Sequence, residues 1–241
     1  MTDSRRALVT GATHGIGRAI AETLAGRGYE VVVNYAHDEA AARETVESIR
    51  RSGWTAVPVK GDVTDADAVA HLFDDLHGDG PIDLLVNNVG DFLLKPFLDT
   101  TPAEWEHVLR SNLTSAVLCC RAILPTMRSR GSGAIINVAS MNAEILRAKP
   151  NTLPYSVANA GLVLLTKTLA ATEGSFGIRV NAVCPGFVET GDYPPADVAR
   201  TIPLRRLGRA SEIASAVAFL ASNEASYVTG AVLNAHGGAF L

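Results

Sequence analysis

The chain has 241 residues, of which 47% are hydrophobic, and its formal net charge is −4. This length suits a large core, and α/β chains of this size often form one domain, so we expect a single domain over residues 1–241. The mild acidity and the absence of a Lys/Arg cluster argue against a nucleic-acid-binding surface. No run approaches the ~18 apolar residues of a membrane span, and residues 1–6 lack the apolar stretch of a signal peptide.

Three cysteines, Cys119, Cys120 and Cys184, lie in apolar surroundings. They do not have the spacing of metal ligands, so buried free thiols are expected and no metal site is predicted. Free thiols favour a reducing compartment such as the cytoplasm.

Short apolar runs alternate with amphipathic stretches, which is typical of a parallel sheet whose strands are connected by helices. Strands are predicted at residues 6–10, 29–34, 56–59, 82–86, 134–140, 178–183 and 231–234. Helices are predicted at residues 18–26, 38–53, 65–76, 101–130, 155–174 and 210–222. Thr101, Pro102 and Glu104 give the fourth helix a capping-box start. The segment 155–174 is almost uniformly apolar, so we expect it to be buried on more than one side.

A glycine-rich loop joins the first predicted strand to the first predicted helix. Glycine permits a tight turn there, and it lets backbone N–H groups approach a pyrophosphate at the helix N-terminus. This position between a strand and a helix favours a dinucleotide-binding loop over an ordinary turn. The loop residues predicted to contact the dinucleotide are Gly11, Thr13, His14, Gly15, Ile16 and Gly17.

The end of the second strand bears on which nicotinamide cofactor is used. An acidic residue there would hydrogen-bond the adenosine ribose and repel a 2′-phosphate. Asn34, Tyr35 and Ala36 occupy this stretch, and no carboxylate occurs before Asp38. His14 offers a donor or partial positive charge to a phosphate, although a solvated loop histidine is the alternative. NADPH is therefore predicted in preference to NADH.

Further motifs follow the predicted strands. Asn87-Asn88-Val89-Gly90 follows the fourth strand, Ser140 ends the fifth, and Tyr155 precedes Asn159 by one helical turn. With the glycine spacing, these motifs resemble the short-chain dehydrogenase/reductase family over nearly the whole chain. Residues 202–209 and the C-terminal end resemble its β-oxoacyl-carrier-protein reductase branch. The resemblance implies a doubly wound Rossmann domain, with a mostly parallel seven-stranded sheet and helices on both faces.

The resemblance also implies roles for individual residues. Tyr155 would protonate a carbonyl oxygen, Ser140 would hydrogen-bond the same oxygen, and Asn112 would bend its helix and hold a water in the proton relay. The family's lysine, which binds the nicotinamide ribose and lowers the tyrosine pKa, is replaced by Asn159. The remaining implied cofactor contacts are Asn34, Tyr35, Ala36, Asp62, Val63, Asn88, Val89, Gly90, Tyr155, Asn159, Pro185, Gly186, Val188 and Thr190.

The replacement at position 159 affects the two reaction directions differently. A tyrosine of pKa about 10 is roughly one part in a thousand phenolate at neutral pH, which slows alcohol oxidation but leaves the acid that ketone reduction needs. The lost charge would have stabilised the developing alkoxide by ~2–4 kcal/mol. Lys149, Arg147 and Lys95 are candidates for a substitute cation, although a solvated surface charge is the favoured interpretation.

Three functional hypotheses remain, ranked in this order. The first is an NADPH-dependent reductase of a ketone or 3-oxoacyl substrate, free or bound to a carrier protein that Arg205, Arg206 and Arg209 would face. The second is an enzyme of altered reaction, and the third is a non-catalytic NADP(H)-binding subunit. The family resemblance implies a homodimer or homotetramer formed through the segment 155–174 and the helix before it. Residues 191–209 are predicted to form a mobile substrate lid.

Overall fold

The computed structural model describes residues 5–78, 80–145, 148–190 and 197–239. Seven parallel strands form one sheet in the order β3-β2-β1-β4-β5-β6-β7. The strands are β1 (Arg6–Val9), β2 (Glu30–Tyr35), β3 (Ala56–Lys60), β4 (Leu84–Asn87), β5 (Gly133–Val138), β6 (Ile178–Pro185) and β7 (Val232–Ala235). The predicted doubly wound sheet is confirmed.

Helices connect the strands. They are α1 (Gly15–Ala25), α2 (Glu39–Arg51), α3 (Ala66–Gly78), α4 (Pro102–Leu109), α5 (Ser115–Arg130), α6 (Leu153–Glu173), α7 (Val198–Thr201) and α8 (Ala210–Ala221). Successive strand residues face opposite sides of a sheet. Val9 therefore packs in one core with α1, α2 and α8. Its neighbour Leu8 packs in the other core, with α3 and α5.

Two predicted helices differ from the observed ones by more than a shift of one or two residues at an end. The first begins at Gly15, three residues earlier than predicted, so the last two loop glycines belong to its first turn. The fourth is interrupted at Arg110–Thr114 by a π-helical turn, which separates α4 from α5. This irregular turn contains Asn112, the residue at which a local bend of the helix is predicted. The capping box of Thr101 and Glu104 is also present, with Pro102 in the first turn.

The helix α6 is buried on one face only. Asn159, Leu162 and Thr166 lie on that face, whereas Val157 is 42% exposed and Leu164 is 66% exposed. The prediction that this segment is buried on more than one side is therefore wrong for the single chain. Its outward face is apolar because of its sequence, but no described element of the chain covers these two side chains.

The predicted lid is only partly described. Residues 191–196, which include Pro194 and Pro195, lie outside the described residues. Beyond them, Val198–Thr201 forms a short helix, and Leu204 donates its backbone N–H to Gly237 O at 3.2 Å. Gly208 pairs with Val188 in an isolated bridge, so this segment returns to the loop after β6. In the part of the chain that is described, none of the helices is long and apolar enough for a membrane span.

Candidate active site

A cleft of about 320 Å³ opens where β4, β5 and β6 end. The carboxyl ends of parallel strands are where open α/β sheets bind their ligands. The cleft is lined by Ile16, Asn88, Gly90, Phe92, Asn112, Val138, Ala139, Ser140, Met141, Tyr155, Asn159, Pro185, Gly186, Phe187, Val188 and Thr190. All four residues predicted to be catalytic are among them.

Ser140 and Tyr155 lie close together because β5 ends at the same edge of the sheet at which α6 begins. Ser140 lies two residues beyond β5, and Tyr155 lies in the first turn of α6. Burial raises the pKa of Tyr155, while a hydrogen bond with Ser140 acts in the opposite direction and the nearby Cys184 raises it further. The net shift is upward, and none of these causes is a cation. Tyr155 is therefore a protonated phenol at neutral pH.

Asn159 faces the cleft from one helical turn beyond Tyr155. It is 3% exposed, and its Nδ2 donates to the backbone oxygen of Tyr155 at 2.9 Å. This bond uses one of the two amide hydrogens. The side chain therefore supports its own helix and keeps only part of its hydrogen-bonding capacity for another group.

The candidate substitute cations are occupied elsewhere or lie outside the described residues. Lys95 Nζ bonds both carboxylate oxygens of Glu104, at 2.9 and 3.0 Å. This ion pair and the capping bonds of Thr101 lower the pKa of Glu104 to about 2. Lys149 Nζ donates to Met141 O at 3.3 Å. Arg147 is outside the described residues.

Asn112 is held by the irregular turn between α4 and α5. Its Nδ2 bonds Asp91 O at 2.9 Å, Val108 O at 3.0 Å and Ser111 Oγ at 3.0 Å. A Cβ at Gly90 would overlap Asn112 Oδ1, so only glycine fits at position 90. Asn112 therefore fixes the backbone after β4 against the helix pair.

The glycine loop fits a pyrophosphate. Gly11 and Gly15 have φ of +60° and +54°, a conformation that favours glycine. A Cβ at Gly17 would overlap the carbonyl of Gly11, so the loop folds tightly onto the helix start. The N-cap residue His14 makes no capping bond to α1, and the first turn holds no acidic residue. Such uncapped N–H groups attract an anion.

A second cavity, of about 230 Å³, continues from this loop. Its lining is Gly11, Thr13, His14, Asn34, Tyr35, Ala36, His37, Asp38, Gly61, Asp62, Val63 and Val89. These include every residue predicted for the adenosine half except Asn88 and Gly90, which line the first cleft. The two cavities together surround the predicted dinucleotide path.

Two of the predicted cofactor contacts in this cavity also hydrogen-bond within the protein. Asn34 is buried, and its Nδ2 donates to Gly61 O at 2.9 Å, so its amide holds the β2 end against the loop after β3. Asp62 accepts from both the N–H and the hydroxyl of Thr64, at 2.9 and 2.7 Å. Burial opposes ionisation of Asp62, but these bonds and His37 outweigh it, so its pKa is lowered. Asp65, rather than Asp62, bonds the first turn of α3, through Ala68 N.

The loop after β6 closes the cleft from the other side. Thr190 lies within van der Waals reach of a Cβ placed on Gly15, so this loop packs against the glycine loop. Gly186 donates its N–H to Ala235 O at 3.0 Å, and a Cβ there would lie 2.6 Å from His236 Cα. Position 186 therefore requires glycine because the C-terminal turn passes directly behind it.

Sequence reasoning missed several lining residues. Phe92, Met141 and Phe187 line the cleft, and His37 and Asp38 line the adenosine cavity. Each lies within two residues of a predicted contact, so proximity to the motifs was the available signal. The residue types themselves gave no signal, because an isolated aromatic residue or histidine in a loop forms no characteristic sequence pattern.

Comparisons with known proteins agree with this geometry. A family model described as Enoyl-(Acyl carrier protein) reductase matches residues 11–239. The 3-oxoacyl-(acyl-carrier-protein) reductase FabG of Staphylococcus aureus is 37% identical over 100% of both chains. Cis-4-hydroxycyclohexanecarboxylate dehydrogenase of Sinomonas cyclohexanicum is 42% identical over 97% of this chain and 96% of its own. The crystal structure of a proposed gluconate dehydrogenase from Agrobacterium tumefaciens is similar, with a TM-score of 0.92 and 35% sequence identity. The match covers 97% of this chain and 95% of that one.

The chain belongs to the short-chain dehydrogenase/reductase family. Its relatives of 37–39% identity over the full chain include 3-oxoacyl-carrier-protein reductases, so the predicted resemblance is confirmed. As a member of this family it is an oxidoreductase that acts on a carbonyl substrate.

Proposed function

We propose that the chain is an NADPH-dependent reductase of a ketone or 3-oxoacyl-type carbonyl, in which Tyr155 is the acid. The observation that carries this proposal is the cleft that brings Tyr155, Ser140, Asn112 and Asn159 together beside the glycine loop. The names of two relatives, a 3-oxoacyl reductase and an alcohol dehydrogenase of a cyclic acid, support a carbonyl–alcohol pair.

The mechanism assigns one task to each residue. The reduced nicotinamide, when bound, supplies the hydride. Tyr155 Oη gives its proton to the carbonyl oxygen, which becomes the hydroxyl of the alcohol, and Ser140 Oγ hydrogen-bonds the same oxygen. The α1 N-terminus and the loop from Gly11 to Gly17 would hold the pyrophosphate. Asn159 offers the ribose its remaining hydrogen-bonding capacity in place of a lysine.

The raised pKa of Tyr155 supports the reductive direction. Reduction needs the phenol, which burial preserves, whereas oxidation needs the phenolate, which burial disfavours. We therefore expect the reduction rate to stay level as the pH rises from about 6 to 9. The oxidation rate should still be rising at the upper limit, because its base forms only above the ordinary tyrosine pKa of about 10.

The adenosine cavity supports NADPH over NADH. His14 and His37 both line it, and His14 Nδ1 lies 2.8 Å from Thr13 Oγ1. Asp38 also lines the cavity, but its Oδ1 accepts from Ala41 N at 2.9 Å as the cap of α2. Two imidazoles therefore line the space for a 2′-phosphate, and they outnumber the one carboxylate there, Asp38, that would repel it.

The assembly and location belong to the same proposal. The exposed apolar side chains of α6, above all Leu164, support a homodimer or homotetramer formed through this helix. The three buried free cysteines support a reducing, cytoplasmic location.

The relatives' names also support a carrier-bound substrate. Arg206, one of the arginines predicted to face such a carrier, makes a bidentate ion pair with Glu212 at 2.7 Å.

A fluorescence titration with NADPH and NADH tests the proposal, followed by reduction of simple 3-oxoesters. Micromolar NADPH binding, weaker NADH binding and measurable reduction are expected. Tyr155→Phe should abolish reduction while leaving NADPH binding within twofold of the wild type. Reduction that survives in Tyr155→Phe would move the acid elsewhere, and binding of neither cofactor would reject an NADP(H) enzyme.

A further inference from the structure

Phe92 lies at the mouth of the cleft, directly against Tyr155. The two ring centroids are 5.0 Å apart, and their planes make an angle of 85°, an edge-to-face contact. Phe92 is nevertheless 53% exposed. A large apolar ring that is half exposed beside the reacting hydroxyl is placed to contact whatever enters the cleft.

Phe92 lines two cavities. It belongs to the lining of the catalytic cleft of about 320 Å³ and to that of an outer cavity of about 540 Å³. The rest of the outer lining is Asp91, Leu93, Ala103, Glu104, His107 and Val108. Phe92 is therefore a residue shared by the cleft that holds Tyr155 and by a second space that lies against α4.

The backbone on both sides of this ring is held by other residues. Asp91 O accepts from Asn112 Nδ2 at 2.9 Å, and His107 Nε2 lies 2.7 Å from Asp91 Oδ2. Farther along, Lys95 N donates to Asn151 O at 2.7 Å, which ties this loop to the segment before α6. Loss of the Phe92 ring therefore leaves the anchors of the loop in place.

We propose that Phe92 sets the size limit of the substrate. Its ring excludes an aryl-sized group on the reacting carbonyl carbon, and the outer cavity receives such a group once the ring is removed. Small alkyl groups fit the cleft as it stands. This inference rests on the reductase function proposed above.

Two esters that differ only at the reacting carbonyl test the limit: ethyl acetoacetate carries a methyl group, and ethyl benzoylacetate carries a phenyl group. NADPH oxidation is followed for the wild type, Phe92→Ala and Leu93→Ala. Leu93 lines the outer cavity but not the catalytic cleft, so it is the matched control. In Phe92→Ala the ratio of kcat/KM for the phenyl over the methyl ester should rise at least about tenfold. In Leu93→Ala the ratio should stay at the wild-type value.

The remaining outcomes separate the inference from the function on which it rests. An equal loss for both esters in Phe92→Ala, with NADPH binding intact, would show that the ring only positions Tyr155 and would overturn the size limit. If the wild type reduces neither ester, the proposed reductase activity fails for this substrate class. Calorimetry of ethyl benzoylacetate with the protein–NADP complex then decides the size limit, and equal affinity for Phe92→Ala and wild type overturns it. Phe92→Leu, which keeps an apolar side chain, should give intermediate values throughout.

Discussion

Position 159 determines the electrostatics around Tyr155. An uncharged amide that bonds the Tyr155 backbone leaves the phenol without a neighbouring cation, and burial then raises the pKa of that phenol. A positively charged group one turn along the same helix would lower the pKa of the phenol. We therefore expect the side chain at this position to set the acid strength of Tyr155 without touching the carbonyl.

Asn159→Lys tests this account. The added charge should lower the pKa of Tyr155 and stabilise the developing alkoxide by the ~2–4 kcal/mol given above, so kcat for reduction should rise about thirty- to a thousandfold. The alkaline limit of the reduction profile should move to lower pH. Asn159→Met is the matched control, because methionine is similar in length to lysine but uncharged. It should show neither the rise in kcat nor the shift of the alkaline limit. A Lys variant with the wild-type rate and profile would mean that the site works by another route.

The two histidines of the adenosine cavity give a second test at this scale. His14→Ala and His37→Ala should each weaken NADPH binding about tenfold, because hydrogen bonds to a charged group are lost, and should leave NADH binding unchanged. Asp38→Asn keeps the α2 cap and removes a negative charge, so it should tighten NADPH binding. Parallel fluorescence titrations with both cofactors provide the measurement. Equal weakening for both cofactors would show that the histidines hold the adenosine and not its phosphate.

Single residues also show how far a sequence can predict a site. Ser140 and Tyr155 were predictable because strand ends and a helix start place them at one edge. The face of the sheet on which the Asn34 side chain lies was not predictable from the sequence. Val31, Val32 and Val33 before it are all apolar and show no alternation that would distinguish the two faces. Only the pairing of β2 with β3 shows that the Asn34 amide reaches Gly61.

Among the helices, α5 and α6 are tied by a contact that joins residues 45 positions apart. Arg128 bonds both oxygens of Glu173, at 2.6 and 2.7 Å, and its guanidinium lies 4.6 Å from the centre of the Phe176 ring. The Glu173 side chain is 2% exposed, and Arg128 lowers its pKa despite that burial. Neighbouring residues in the sequence allow the capping of a helix to be predicted, but nothing near Arg128 or Glu173 in the sequence indicates that these two residues pair.

Arg128→Met should destabilise the protein at neutral pH, because it leaves a buried carboxylate without its charged partner and with only the hydroxyl of Thr172 as a side-chain donor. We expect the midpoint of thermal unfolding to fall by roughly 3–6 °C at pH 7. In the wild type the contribution of Glu173 is present above the ordinary glutamate pKa and is lost as the pH falls, whereas the variant gains from protonating Glu173. The difference in midpoint should therefore shrink as the pH falls from 7 to below about 4.5, where the wild type loses this contribution.

Arg128→Lys is the control for this pair. It retains the positive charge and should recover part of the loss at pH 7, although it cannot form the bidentate contact. A difference between Arg128→Met and wild type that stays constant with pH would show that Phe176 packing, and not the ion pair, stabilises this joint.

For the molecule as a whole, the alternation of strands and helices predicted the sheet, because parallel strands need crossover connections. Burial of α6 was mispredicted because a sequence does not distinguish an apolar face that meets the core from one that meets another chain. Val157 and Leu164 are on the outward face, and the exposure of such residues typically marks an interface.

Leu164→Glu should reduce the mass of the particle, measured by light scattering after size-exclusion chromatography, because a buried unpaired carboxylate opposes association. Trp54→Glu, at a 44% exposed position beside β3, the far edge strand of the sheet, should leave the mass unchanged. A Leu164→Glu protein with the wild-type mass would exclude this face of α6 from the assembly.

A chain of buried hydrogen bonds joins the middle of the sheet to α6. Asn87 Nδ2 bonds Asn137 Oδ1 at 2.8 Å, and Asn137 Nδ2 bonds Thr166 Oγ1 at 2.9 Å. Thr166 lies three turns beyond Tyr155, about 16 Å along the helix, and on the same face. The rotation of α6 about its own axis is therefore restrained far from the substrate mouth. Loops around the mouth can accumulate substitutions that change the choice of substrate without misaligning Tyr155, the proposed acid, which makes this scaffold evolvable.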